Sequence, residues 1–274
     1  MSYWQTETEG GVVVATYHNP PMNYFCADAI GELSQLVDGW EEDASIRAVV
    51  ITGGIEGKFV THYSVEELLS MAEDRDGMRA AGTALTDAYH GLQERLRHLP
   101  KPVIVAMNGD AMGGGFEFCL GCDIRIAQQG DYRFGLPEIK LGILPGGSGT
   151  QRLSRLIGGG NAINFILRGR VVPPDEALAL GLVHEVVPDA LAHAKALAAD
   201  LAKLAPRAVW CIKRCVYDGG DTHIAAGLQM EGFNFLETML SDDGVAAMRA
   251  YVEEPYEKRR DWLESPRLPE FKGH

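Results

Sequence analysis

Gly113-Gly114-Gly115-Phe116-Glu117 is followed about twenty residues later by Leu136-Pro137-Glu138. Consecutive glycines let a backbone turn tightly and let another atom approach an N–H closely. A carboxylate follows within one helical turn, and a second comes after a short strand-like segment. Backbone donors and two carboxyl groups together supply what adding water across a polarised double bond requires, an oxyanion site and an acid/base pair. Glu117 has apolar neighbours in Phe116, Phe118 and Leu120, so desolvation should raise its pKa. Each residue also has a plainer reading. The glycines could serve helix–sheet packing, Glu117 could be a first-turn carboxylate at a helix N-terminus, and Glu138 could be a surface loop residue.

Asn108–Asp123 (NGDAMGGGFEFCLGCD) and Phe134–Arg152 (FGLPEIKLGILPGGSGTQR) resemble the central signature of the crotonase (enoyl-CoA hydratase/isomerase) superfamily. Val49–Gly53, Arg168–Arg170 and Ala177–Pro188 extend the similarity over most of residues 10 to 190. The resemblance implies an α/β fold, a right-handed spiral of ββα repeats with two roughly perpendicular sheets and a C-terminal helical region. Residues 1–205 would form the core carrying the active site, 206–263 a helical oligomerisation region and 264–274 a tail.

The resemblance also implies roles. Glu117 would hold and activate a water, and Glu138 would share that water and protonate the α-carbon, as in the hydratase branch. The backbone N–H groups of Tyr63 and Gly114 would form the oxyanion hole. One such donor contributes about 3 kcal/mol of barrier lowering. Met22, Lys58, His62, Ser64, Gly113, Pro137 and Gly146 would line the acyl-CoA site, with Lys58, Lys258, Arg259 and Arg260 as candidates for the phosphates. The chain would be an enoyl-CoA hydratase without metal or redox cofactor, CoA entering as part of the substrate, and would assemble as a homotrimer or homohexamer. Trp210, Phe233, Phe235 and Met239 offer apolar helical surface for that assembly.

One segment departs from the family pattern. Where the family has a small-Gly-Ala-Asp sequence after Phe59, this chain has His62-Tyr63-Ser64. The Tyr63 amide can still donate, but a phenol replaces a methyl and a histidine replaces a glycine. Three readings follow: a reshaped acyl pocket, altered chemistry such as an isomerase or a C–C hydrolase using His62 or Tyr63, and a CoA-binding pseudoenzyme. His62 also has a plain reading as a polar packing residue.

The 274 residues permit one domain or a domain with an appendage, and a sizeable core. A net charge of −13 argues against a nucleic-acid partner. Five cysteines without disulfide-rich spacing fit reduced thiols and a cytoplasmic location. Cys119-x-x-Cys122 lies in an apolar helical run with no second pair to complete a metal site. Gly53–Lys58 lacks P-loop spacing, and Gly146–Thr150 lacks the last glycine of a nucleophile elbow. No secretory signal and no run near 18 apolar residues is present.

The elements that must position the site read as follows. Strands are expected at 11–17, 48–52, 103–107, 123–127 and near 132–134, from β-branched content and flanking turns. Helices are expected at 27–42, 78–98, 114–121, 207–217, 222–240 and 242–263.

Overall fold

A computed structural model describes residues 2–265 and 269–273. β1 (Trp4–Glu9) and β2 (Val12–Tyr17) pair antiparallel, and α1 (Ala27–Glu42) follows. Three successive turns of the chain then each place one strand in a large sheet, the next in a small sheet, and helix after it. The first turn is β3 (Ala48–Gly53), β4 (Gly57–Val60), α2 (Val65–Glu73), α3 (Arg75–Ala81) and α4 (Asp87–His98). The second is β5 (Val103–Met107), β6 (Gly109–Met112) and α5 (Gly114–Leu120). The third is β7 (Ile124–Gln128), β8 (Phe134–Gly135), α6 (Gly149–Ile157) and α7 (Gly159–Leu167). β9 (Val171–Val172), α8 (Pro174–Ala179), β10 (Glu185–Val187) and α9 (Ala190–Leu201) close this part of the chain. α10 (Pro206–Gly220), α11 (Ile224–Leu240), α12 (Asp242–Glu253) and α13 (Arg259–Glu264) complete it.

The large sheet has the order β1-β2-β3-β5-β7-β10 and the small one β4-β6-β8-β9. From β2 to β10 the large sheet is parallel, and both its faces are covered. That is why its strands read as unbroken apolar runs rather than alternating ones. Val49 and Ile51 point into the main core, whereas Ala48 and Val50 point to the opposite face, against α9. Ala190, Ala194 and Ala198 recur every four residues along α9 and let that helix lie close to the sheet.

β4, β6 and β8 are parallel neighbours in the small sheet. Their C-terminal ends are stitched together: Met112 N–H donates to Thr61 O and Gly113 N–H to Gly135 O, both at 2.8 Å. The loops leaving the three strands therefore begin side by side.

Several expectations are corrected. The helix expected over 78–98 is broken: Gly82 sits at φ +54, and a 3₁₀ turn over Gly82–Thr86 separates α3 from α4. The helix expected over 242–263 is interrupted at Pro255, which cannot continue the hydrogen-bond ladder. The strand expected near 132–134 is only Phe134–Gly135. β1 was not expected, because five of its six residues are exposed and only Trp4 is buried. Of the expected tail, 266–268 and 274 lie outside the described residues. Residues 269–273 have no regular structure, but the N–H groups of Lys272 and Gly273 donate to the Asp243 carboxylate at 2.7 Å each.

Asp123 ties α10 to the spiral. It accepts from Lys213 Nζ and Tyr217 Oη of α10 and from Val103 N of β5, each at 2.7 Å. The ion pair is nearly out of solvent, with side-chain exposures of 10% for Lys213 and 13% for Asp123. Asp123→Ala leaves the ammonium without its counter-ion and is expected to cost about 3 kcal/mol in urea unfolding. A loss below about 0.5 kcal/mol, the size of a neutral surface substitution, would mean that the pair does not anchor α10.

Candidate active site

The three loops that start together carry the residues singled out in the sequence. Tyr63 follows β4, Gly114 follows β6, and Glu138 follows β8. Gly113 turns the chain at φ +51, ψ −129, and Gly114 opens α5. A Cβ placed on Gly114 would lie 2.9 Å from Tyr63 Cβ and 3.4 Å from Tyr63 N, so the two backbones run against each other and only glycine fits. Neither the Tyr63 N–H nor the Gly114 N–H is taken by an acceptor among the described residues. A free amide at the start of α5, with the free Tyr63 amide on the segment that abuts it, favours a partial negative charge.

All residues of α5 are buried, Glu117 among them. Its Oε1 accepts from Gly149 N–H at 2.7 Å. A Cβ on Gly147 would stand 2.6 Å from Oε2, so the Gly147–Gly149 turn closes directly over the carboxyl. Burial pushes the Glu117 pKa up to about 8, the nearby charge of Glu138 adds to the rise, and the backbone donors oppose it.

Glu138 begins a 3₁₀ turn whose entry Pro137 fixes. Its side chain is buried, and neither carboxyl oxygen has a hydrogen-bond partner among the described residues. Oε1 lies 3.0 Å from where a Cβ on Gly113 would stand, which places the carboxyl beside the residue that precedes Gly114. Burial raises its pKa to about 7. Two orphaned oxygens in a native interior are costly and mark a group waiting for a partner.

The structure brings in residues that the sequence reading missed. Tyr89 of α4 is buried and its hydroxyl donates to Gly114 O. That bond fixes the peptide that follows the Gly114 amide. His90 contacts Gly146 O at 2.7 Å through Nε2, and Gln93 donates to Gly147 O at 2.7 Å. A polar residue at position 93 on the buried face that also holds Tyr89, Leu92 and Leu96 was the available signal.

Other expected residues fall around this centre. His62 stacks on Tyr24 with ring centroids 3.9 Å apart, its Nδ1 engages Tyr63 O at 2.6 Å, and its Cβ lies 3.9 Å from the Gly113 Cβ position. The ring thus has packing and hydrogen-bonding duties of its own. The Tyr63 phenol turns towards Glu67 and the Tyr89 ring, and burial raises its pKa. Ser64 spends its hydroxyl capping α2, accepting from Glu67 N at 3.1 Å. Gly146 has open space over its Cα. Met22 and Lys58 come together through buried Asn23, whose side-chain amide donates to the carbonyls of Lys58 and Phe59, while Thr61 Oγ1 donates to Met22 O. Arg259 lies over the Tyr256 ring at 4.3 Å and Arg260 pairs with Glu264 at 2.9 Å, so both cations have local partners. The thiols of Cys119 and Cys122 donate to carbonyls one turn back, Gly115 O and Phe118 O.

Residues 7–262 match a profile of the enoyl-CoA hydratase/isomerase family. A probable enoyl-CoA hydratase of Bacillus subtilis is 35% identical over 96% of this chain and 95% of its own length. The chain belongs to the enoyl-CoA hydratase/isomerase family. A short-chain-enoyl-CoA hydratase of Clostridium acetobutylicum is 38% identical over 90% of this chain and 93% of that protein. Among solved structures, an enoyl-CoA hydratase from Bacillus anthracis superposes with a TM-score of 0.86 at 31% identity, over 99% of this chain and 100% of that one. A Geobacillus kaustophilus structure of the same description gives a TM-score of 0.88 at 27% identity, over 100% and 98%. The fold is that of the crotonase superfamily. No helix among the described residues is long and apolar enough to cross a membrane.

The raised pKa values of this family member make a statement about stability. Between the ordinary carboxylate value of 4.5 and about 8, folded Glu117 holds a proton that the unfolded chain has lost. Stability therefore falls as the pH rises through that window. Glu117→Gln removes this contribution, so thermal melting of the variant from pH 5 to pH 8 is expected to be flatter than that of the parent. Parallel curves would contradict the buried, protonated carboxyl.

Proposed function

We propose that this chain is an enoyl-CoA hydratase that adds water to a 2-enoyl-CoA thioester and releases the 3-hydroxyacyl-CoA. The observation that carries the reading is the burial of two carboxyls, Glu117 and Glu138, beside the free amides of Tyr63 and Gly114. The similarity to a probable enoyl-CoA hydratase and to a short-chain-enoyl-CoA hydratase favours the same activity.

The thioester oxygen would accept from the amides of Tyr63 and Gly114, where charge develops as the double bond is attacked. Glu117, held by the Gly149 amide, would orient a water and take its proton as the oxygen bonds to the β-carbon. Glu138, without a protein partner, would contact the same water and give its proton to the α-carbon. The pair thus needs one proton between them. Values of about 7 and about 8 leave one proton on the pair in that interval. A shared water lets that proton lie on either carboxyl, and the reactive arrangement has Glu117 ionised. The reaction draws on these residues alone, CoA arriving with the substrate. Met22, Lys58, His62, Ser64, Gly113, Pro137 and Gly146 are proposed to line the acyl-CoA site.

Crotonyl-CoA and longer enoyl-CoAs are expected to lose their conjugated-thioester absorbance and yield 3-hydroxyacyl-CoA. The pH profile of kcat/KM should be bell-shaped with its maximum between about 7 and about 8. Glu117→Gln and Glu138→Gln should each lower turnover by about 100-fold or more. Near-normal turnover in either variant would overturn the assignment. A shifted double bond without hydration would indicate an isomerase, and CoA-ester binding without turnover a pseudoenzyme.

We further propose that α11 forms a subunit contact. Phe233, Phe235, Leu236 and Leu240 are more than half exposed on this one helix, an apolar surface suited to a second copy of the chain. Sedimentation velocity should report a trimer or hexamer, and a stable monomer would contradict this.

A further inference from the structure

We propose that Gln93 is a positioning residue for Glu117: from α4 it fixes the Gly147–Gly149 turn whose amide holds the Glu117 carboxyl. Gln93 has no solvent exposure, which is rare for a glutamine unless every polar atom is used. Both polar atoms of its amide bond to one segment. Nε2 donates to Gly147 O at 2.7 Å, and Oε1 accepts from Ser148 Oγ at 2.6 Å and from Arg152 Nε at 3.0 Å. Arg152 Nε also reaches Ser148 Oγ at 2.9 Å, and its Nη2 pairs with Glu94 at 2.6 Å. Helix α4 thus grips the turn through two adjacent residues, Gln93 and Glu94.

The turn needs a grip. Ser148 lies at φ +87, ψ 0, a left-handed conformation that a non-glycine residue keeps only when its surroundings hold it. The residues on either side, Gly147 and Gly149, are the ones packed against the two Glu117 oxygens. The Gln93 stem also packs on Gly121, its Cγ 3.0 Å from the Cβ position there, at the C-terminal end of α5. One buried side chain therefore touches both the helix that carries Glu117 and the turn that clamps it. Replacing the amide by an apolar group of similar length would leave buried Gly147 O without its donor and the Ser148 hydroxyl without its acceptor, and the turn free to relax away from the carboxyl.

Other groups act on Glu117 as well. Glu138 faces it from the turn after β8 and Tyr89 from α4, and Cys119 shares its helix. None of these is altered by a change at position 93, so a change in Glu117 ionisation would report the clamp.

The kinetic consequence rests on the hydratase reading, but the ionisation of Glu117 does not. The test is Gln93→Met, followed by two measurements. The first is a pH titration of the protonated-carboxyl infrared band that Glu117→Gln abolishes. Its midpoint should move to higher pH in Gln93→Met, because the anion loses backbone donation. The second is steady-state hydration of crotonyl-CoA. Here kcat should fall about 10- to 100-fold while KM stays within about twofold, as expected for a misplaced catalytic group rather than a lost binding contact. Ser148→Ala, which removes one arm and leaves Gln93 bonded to Gly147, should shift the same band in the same direction by less, and serves if Gln93→Met does not fold. An unmoved band in Gln93→Met, or in Ser148→Ala where that variant stands in, would overturn the positioning role. An unmoved kcat in the variant that is measured, with the parent enzyme active, would overturn it too. A parent enzyme without hydration activity would remove the hydratase reading while the band shift still decides the clamp.

Discussion

Two carboxyl groups buried within each other's field cannot both ionise cheaply, and the rest of the site follows from that constraint. Glu117 and Glu138 are both more than nine-tenths out of solvent. A structure that serves only packing would replace such groups with apolar side chains, or satisfy every oxygen. Here one carboxyl is clamped by the Gly149 amide and the other is left without a donor. The asymmetry gives the two groups different capacities. The clamped one has a fixed orientation, and the unpartnered one can take up a proton or a water. Their raised pKa values bring both carboxyls towards the neutral range, where proton transfer in either direction is inexpensive.

The fold supplies this arrangement by repetition. Each turn of the spiral adds one strand to the small sheet, and β4, β6 and β8 end next to one another. The loops that leave them bring an amide from Tyr63, an amide and a carboxyl from the Gly-rich segment, and a carboxyl from Glu138. The bonds Met112 N–Thr61 O and Gly113 N–Gly135 O set their register. Behind them, edge-to-face contacts of Phe25 with Tyr17 at 4.9 Å and with Phe118 at 5.2 Å join the N-terminal hairpin to α5. α4 holds the other side through Tyr89, His90 and Gln93. The candidate site and the core use the same residues, because α5 is short, wholly buried and carries the Glu117 carboxyl on its first turn.

Much of this was legible in the chain. The strands 103–107 and 48–52 are apolar and β-branched and are buried on both faces, so their signal was strong. The Gly-rich turn, Glu117 and Glu138 were visible because glycines and carboxylates stand out against apolar neighbours. The contribution of α4 was not legible. Tyr89 and Gln93 sit on an amphipathic helix, and nothing local says that their polar atoms reach the carbonyls of Gly114 and Gly147, 25 and 54 positions away. The break at Gly82 was hidden because the surrounding residues continue a helical pattern while being exposed. β1 was hidden for the opposite reason: an edge strand with one buried residue carries almost no hydrophobic pattern. The His62-Tyr63-Ser64 departure left a reshaped acyl pocket, altered chemistry and a pseudoenzyme all open in the sequence, with polar packing as the plain reading of His62. In space His62 is occupied by Tyr24 and the Tyr63 carbonyl, while the Tyr63 amide stays free.

The most direct test of the central arrangement is a crystal structure with a bound 3-hydroxyacyl-CoA. The expected result places the thioester oxygen about 3 Å from both the Tyr63 and Gly114 nitrogens, with the 3-hydroxyl between Glu117 and Glu138 at hydrogen-bond distance from each. A thioester bound away from those amides, or a hydroxyl that touches neither carboxyl, would contradict the account.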